Sequence, residues 1–350
     1  MSTTASSQKQ IGYWLVAVAL SIWLMVIIGG TTRLTGSGLS ITEWKPIMGI
    51  LPPMNGEHWD EALQKYRATP QFRISNPDIT LDEFKVIFFW EYIHRLWGRL
   101  IGLLFALPLI YFTLTRQLTR SLAAKLFLIL ILGGAQGFLG WFMVMSGLVD
   151  RPSVSPYRLT AHLLLALALF SAVLWLACDQ LCREIKLKHK PASWLKIALP
   201  ALLVLLCLQI AWGGFMAGGK MAMSYPSFPD FNGQWLPSGL FQFNSFWRHI
   251  CEQAAAVHLI HRTLGTLLVL GILVLWWKTR HYAWTGLLGW ARQALVVCVI
   301  VQFLLGVMTV LQSIGHIPIF WGVAHQGTAV ALLGSFLILW HQIATAAAQK

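Results

Sequence analysis

Apolar residues in this chain come in long, nearly unbroken blocks, not in the alternation of a half-buried strand or the one-sided stripe of a soluble helix. Eight blocks are long enough, at ~1.5 Å of rise per residue, to cross ~30 Å of hydrocarbon: residues 11–30, 86–113, 125–146, 158–178, 195–216, 252–277, 293–312 and 318–341. The pattern predicts an all-α polytopic membrane protein with eight transmembrane helices. Two connections exceed what a link requires, and each is expected to cap the outer face. Residues 31–85 carry the turn formers Pro46, Pro52, Pro53 and Gly56, and an amphipathic piece, HWDEALQKYR, with Trp59, Leu63 and Tyr66 at helical spacing. Residues 217–251 are rich in aromatics, glycine and proline.

The blocks repeat. IHRLWGRLIGLL (93–104) matches IHRTLGTLLVL (260–270), AHLLLALA (161–168) matches AHQGTAVA (324–331), AQGFLG (135–140) matches VQFLLG (301–306), and IGG (28–30) matches WGG (212–214), in the same order. This predicts two four-helix bundles, residues 11–181 and 195–343, joined by a linker at 182–194 and preceded by a tail at 1–10. Each unit crosses an even number of times, so the two are read as parallel repeats, related by an axis along the membrane normal.

Charge orients the bundle. Of 350 residues 57% are hydrophobic and 11% charged, against about a quarter charged in soluble domains, and mean hydropathy is +0.63. The net charge of +13 arises from basic residues between apolar blocks, with no basic tract interleaved with aromatics as a nucleic-acid binder needs. Arg116, Arg120 and Lys125, then Arg183, Lys186, Lys188, Lys190 and Lys196, then Lys278, Arg280 and Arg292 mark the even connections. By the positive-inside rule these connections and both termini are cytoplasmic. The opening MSTTASSQKQ reads as a short polar tail and not a cleavable leader or Arg-rich transit segment, which favours a bacterial cell inner membrane. Five scattered cysteines (Cys178, Cys182, Cys207, Cys251, Cys298) form no CxxC pair and are read as reduced and structural.

Polar groups inside the blocks are costly and therefore informative. Residues 89–102, FWEYIHRLWGRLIG, place Glu91, His94, Arg95 and Arg99 in an apolar segment. Of eleven histidines, His58, His189, His249, His281 and His316 fall in connections and His341 at a helix end; these six are set aside. The remaining five, His94, His162, His258, His261 and His325, fall in the even-numbered spanning helices, one to three turns from their outer ends. Paired imidazoles without a cysteine or carboxylate cluster suit haem iron held on both axial sides, while a zinc site wants three or four ligands and a proton relay stays open.

Glu91 breaks the repeat, because its counterpart is His258. It lies one turn from His94 and Arg95, where a carboxylate beside a metal-bound group can serve as acid or base, or neutralise Arg95. Arg33, Arg95 and Arg262, near the outer interface, suit the two propionates of a haem. Arg99 lies deeper, where snorkelling and a propionate pair are both open. The pairs Gly29–Gly30, Gly133–Gly134 and Gly213–Gly214 are expected to allow close helix packing. Phe138, Trp141, Phe142, Met143 and Met145 are expected in core or pocket wall.

EYIHR in the second spanning helix, HLIHR in the sixth, and AH near the start of the fourth and eighth resemble the haem A synthase family over nearly the whole chain. That resemblance implies oxidation of a ring methyl of haem O to the formyl group of haem A by successive hydroxylations, for cytochrome oxidase biogenesis. It implies a haem b cofactor ligated by His261 and His325, with His258 and Arg262 beside it. His94 and His162 would face the substrate haem, with Arg95 and Arg33 at its propionates and Glu91 as the catalytic carboxylate. Implied partners are haem O synthase and cytochrome oxidase assembly factors, with lipid around the chain and room for a homo-oligomer. Some members carry a cysteine pair in the first outer loop; residues 31–85 contain none, which resembles the cysteine-free branch. The alternative reading is a di-haem, cytochrome b-like electron-transfer protein.

Overall fold

The computed structural model describes residues 5–43, 50–149, 152–182, 192–240 and 245–348. Among them are eleven α-helices, and no strand beyond an isolated Phe231–Gln234 bridge. Eight helices are long and apolar enough to cross a membrane: α1 (Ala5–Leu34), α4 (Leu81–Leu114), α5 (Arg120–Leu148), α6 (Pro156–Leu181), α7 (Leu195–Gly218), α9 (Ala254–Thr279), α10 (Gly286–Leu311) and α11 (Ile319–Ala348). Three shorter ones, α2 (Gly56–Arg67), α3 (Pro70–Ser75) and α8 (Phe246–Glu252), lie in the two long connections. Most of the predicted 182–194 linker, including Lys186, Lys188 and Lys190, falls outside the described residues.

Helix ends follow caps, not the last apolar residue. Thr80 and Glu83 form a reciprocal capping box that starts α4 at Leu81, five residues before the predicted span. His94 is thus thirteen residues along its helix, deeper than the predicted one to three turns, because the first turns (Asp82, Glu83, Lys85) are polar and belong to the loop layer. His162, His261 and His325 are six or seven residues in. α2 starts at Asn55, whose side chain accepts from His58 N at 2.8 Å, and its predicted apolar stripe is real. Leu63 and Tyr66 pack with Phe84, Ile87 and Phe88 of α4, with Trp59 against them. Burial pushes the Tyr66 phenol up, so it stays protonated, and its oxygen accepts from Asn76 Nδ2 at 2.8 Å.

Packing is uneven along the bundle. The largest core cluster takes the first halves of α1, α5, α7 and α10 (Ile11–Val26, Leu122–Ile129, Leu195–Leu206, Leu288–Val299). From α4, α6, α9 and α11 it takes the second halves (Phe105–Phe112, Leu167–Ala177, Leu268–Leu275, Val330–Ile343). Those segments share one end of an up-and-down bundle. His94, His162, His261 and His325 all lie outside the cluster, toward the end capped by α2, α3 and α8. One end is therefore filled by interdigitated side chains, and the other is left for something else.

α1, α6 and α11 form the centre: α1 packs on α4, α6 and α11, and α6 also on α5 and α7. Trp23 Nε1 donates to Gly327 O at 2.8 Å and Gln326 Nε2 to Val26 O at 3.0 Å, joining α1 to α11. α5 is the periphery, with 6% of its apolar window buried against 61% for α11. Phe138 (61% exposed), Phe142 and Met145 therefore face outward, not into the core, and of the two places expected for this stripe Phe138 and Trp141 take the pocket wall. The glycine pairs divide in the same way. A Cβ on Gly30 would meet Gln326, and one on Gly214 would meet Thr160, so both allow close packing. Gly133 and Gly134 have nothing within 4 Å, because no helix covers that face of α5.

Candidate functional site

Each of the four histidines rests against a glycine of a neighbouring helix. A Cβ built on Gly29 (α1) would stand 3.1 Å from His94, on Gly140 (α5) 3.0 Å from His162, on Gly213 (α7) 3.2 Å from His261, and on Gly306 (α10) 2.8 Å from His325. Only the missing side chain lets each imidazole come this close to the facing helix. In three cases a glutamine one turn before the glycine reaches the ring. Gln136 Nε2 lies 3.1 and 3.3 Å from the two ring nitrogens of His162 and donates to its carbonyl at 3.0 Å. Gln209 Nε2 and Gln302 Nε2 lie 3.3 Å from Nε2 of His261 and His325. The fourth position, one turn before Gly29, is Met25, and His94 has no amide there.

His325 Nδ1 donates to Gln302 O at 3.0 Å, which puts the lone pair on Nε2, where the Gln302 amide approaches to 3.3 Å. A backbone carbonyl on the remote nitrogen is the usual support of a metal-bound imidazole. The His261 and His325 rings stand 6.5 Å apart, centre to centre. With metal–nitrogen bonds of about 2 Å, two imidazoles on opposite faces of one metal have ring centres about 6–6.5 Å apart. The side-chain oxygens of Gln136, Gln209 and Gln302 and Nδ1 of His261 are buried without a hydrogen-bond partner. That is the mark of a site built around a group other than protein. The pair can hold a planar, metal-centred group between α9 and α11.

The residues three positions before and one position after His94 and His261 serve the outer loops. Glu91 is 3% exposed. Its Oε2 accepts from Ser40 N (2.7 Å), Ser40 Oγ (2.7 Å) and Ile41 N (2.9 Å), and its Oε1 from Arg95 Nη2 (2.7 Å) and Nε (3.1 Å). Arg95 also donates to Ile41 O at 2.6 Å and Glu43 O at 2.8 Å. In the second half His258, fully buried, donates through Nε2 to Met221 O at 2.7 Å. Arg262 donates to Asp230 O at 2.6 Å and Tyr225 O at 3.0 Å and lies over the Phe231 ring. Arg33 donates to Ala217 O at 3.0 Å, joining the end of α1 to the end of α7. All three arginines expected at propionates thus hold main-chain carbonyls.

The two halves differ on the lipid side. Gly134, Gly137, Phe138 and Trp141 line an open groove on α5, and a Cβ on Gly137 would meet nothing within 4 Å. In register, Gly133, Gly134 and Gly137 correspond to Val299, Ile300 and Phe303 of α10. Phe303 packs edge-on against Phe228, with ring centres 5.8 Å apart. The wall beside His325 is filled, whereas the one beside His162 is left open.

Sequence reasoning missed three features. The glutamines were hidden in apolar blocks, although their common place one turn before the glycines of AQGFLG, LQIAWG and VQFLLG is visible once those are aligned. The tie between Arg95, Arg262 and the loops leaves no sequence signal. His341, set aside as a helix-end residue, is 2% exposed and joined to Asp179 at 2.8 Å.

Fold and site together define a multi-pass helical membrane protein with imidazole-lined sites gathered at one end of the bundle. Residues 12–337 match the COX15-CtaA family, described as cytochrome oxidase assembly protein, and the chain belongs to that family. It is 42% identical to the haem A synthase of Parvibaculum lavamentivorans over 338 residues, covering 97% of this chain and 95% of that one. It is 39% identical to the haem A synthase of Nitrosospira multiformis (96% and 94% covered) and 41% identical to that of Wolbachia pipientis (94% and 91%).

Proposed function

We propose that this protein is a haem A synthase, an oxidoreductase that converts a ring methyl of haem O to the formyl group of haem A by successive hydroxylations. The observation that carries the reading is the His261–His325 pair, ring centres 6.5 Å apart, with the tautomer of His325 set by the Gln302 carbonyl. These two histidines would hold a haem b. His94 and His162 would face haem O, on the side where α5 leaves its wall open. A haem held by His261 and His325, with haem O against His94 and His162, would supply the redox chemistry on the methyl carbon.

The chain's own contribution is position and exclusion. Gly29, Gly140, Gly213 and Gly306 let the imidazoles approach, and the glutamines steady three of them. Glu91, paired with Arg95, is the group that could take or return a proton. Its hydrogen bonds to Ser40, Ile41 and Arg95 must loosen for it to do so. Arg33 and Arg95 would meet propionates only by releasing the carbonyls they hold.

Sequence correspondence and the matching glycine–histidine contacts support residues 11–181 for the substrate haem and 195–343 for haem b. Loop charge supports cytoplasmic termini in a bacterial inner membrane. Contacts with haem O synthase and with oxidase assembly factors, and self-association, belong to the same proposal. The test is extraction and identification of pigments from the purified protein, expressed with and without a haem O source. Haem b in both samples, with haem A only when haem O is supplied, is the expected result. Permanently bound haem b in both halves and no haem A would return the di-haem electron carrier.

A further inference from the structure

The end of the bundle opposite the four histidines holds a second cluster of ligating side chains. Cys178 and Cys182 stand one turn apart at the end of α6, on one face of the helix. His341 of α11 packs against them. One ligand atom from each lies within 4.8 Å of the others. Cys178 and His341 are 6% and 2% exposed, and Cys182 is half-buried. We propose that Cys178, Cys182 and His341 form a zinc site that clasps the ends of α6 and α11.

Four observations point the same way. First, the donor set is two thiols and an imidazole from two helices, which is chemistry that selects thiophilic cations. Second, His341 Nε2 lies 2.8 Å from Asp179 Oδ1. With the proton on Nε2 shared with the carboxylate, the lone pair is on Nδ1, in the carboxylate–histidine–metal arrangement. Third, one ring nitrogen of His341 lies within 4.8 Å of both thiol sulfurs, and Gln342 Nε2 borders its Nδ1 at 3.4 Å. Fourth, charge closes. Zn2+ displaces the two thiol protons to water, and two thiolates balance the ion. The site gains no net charge next to lipid, where an uncompensated one would be costly. Zinc, which accepts thiolate, imidazole and carboxylate ligands alike, suits a set that has the Asp179 carboxylate beside it.

The test uses the full-length protein in detergent under a non-thiol reductant, loaded with ZnCl2 and desalted. Metal is counted against protein by mass spectrometry. One zinc per chain is expected, and less than a tenth of that in Cys178→Ser/Cys182→Ser. Cys207→Ser and Cys298→Ser should bind as the parent does. Asp179→Asn should weaken zinc in chelator competition by about 10–100-fold, the usual effect of removing a ligand's carboxylate partner. Alkylation mapping needs no variant to fold: zinc should protect Cys178 and Cys182 and leave Cys207 reactive. The inference is overturned if the parent keeps no zinc, if zinc protects neither thiol, or if the double variant keeps it. None of these readouts depends on haem chemistry.

Discussion

Glu91 and Ser40, 51 residues apart, meet at 2.7 Å twice over, through the backbone N–H and the hydroxyl of the serine. The carboxylate is therefore the anchor of the first outer loop as well as the partner of Arg95. Its counterpart His258 anchors the second loop at Met221. A position that differs in chemistry between the halves does the same mechanical work in both.

Glu91→Gln separates the two duties. The amide can keep a hydrogen bond to Ser40 and loses the charge that faces Arg95. For a general acid or base the expected result is a fall in haem A of about two orders of magnitude or more, with haem b content unchanged in the same sample. Near-normal haem A would leave Glu91 with its anchoring role alone. Glu91→Ala should go further, costing about 3 kcal/mol or more by stranding Arg95, seen as a lower unfolding midpoint and faster proteolysis near residue 43.

His261→Ala and His325→Ala should each purify without haem b, measured as pyridine haemochrome per mole of protein. His94→Ala and His162→Ala should keep it. Full haem b in either of the first two variants would remove those residues from its ligation.

Gly306→Ala tests the close approach of His325. The new methyl would sit 2.8 Å from the ring, so the imidazole must tilt or α10 must move away. Overpacking of this kind costs about 1–3 kcal/mol. The expected signature is an altered low-spin haem spectrum at reduced haem occupancy. Gly133→Ala, where the methyl meets open space, should change neither.

Gly137→Phe places in α5 the residue that α10 carries at 303. If the open wall serves the substrate haem, haem A formation should fall at least tenfold, the scale of a lost general contact of about 1.4 kcal/mol, with haem b retained. Unchanged product would make the groove a mere gap in the lipid-facing surface.

Orientation is tested by single-cysteine labelling in a variant without the native cysteines. Position 65, on α2, should be modified from the periplasm, and position 188 only after lysis. The reverse pattern would invert the bundle.

Much of this was legible in the sequence because lipid makes strict demands. Eight spans follow from the need to bond every backbone group internally, and the stripe Trp59–Leu63–Tyr66 is the packing face of α2. The histidines stood out because polar groups are rare in such segments. What stayed hidden depends on contact between distant residues. Asp179 and His341 are 162 positions apart, and nothing local to either marks the other. Gly133–Gly134 looked like Gly213–Gly214, yet only the second pair has a helix against it, since composition does not say which face is covered. The early start of α4 was set by a capping box that lies outside the apolar block.

Arg95 and Arg262 also couple two events that look separate. Each guanidinium that an incoming anionic group could capture is the same one that holds a loop in place, at Ile41 and Glu43 in one half and at Tyr225 and Asp230 in the other. An anion that wins the arginine must loosen the loop, and a loop that settles back must evict the anion. If an anionic group binds there, the two affinities are reciprocal by linkage, and each outer loop then competes with that group for the same guanidinium.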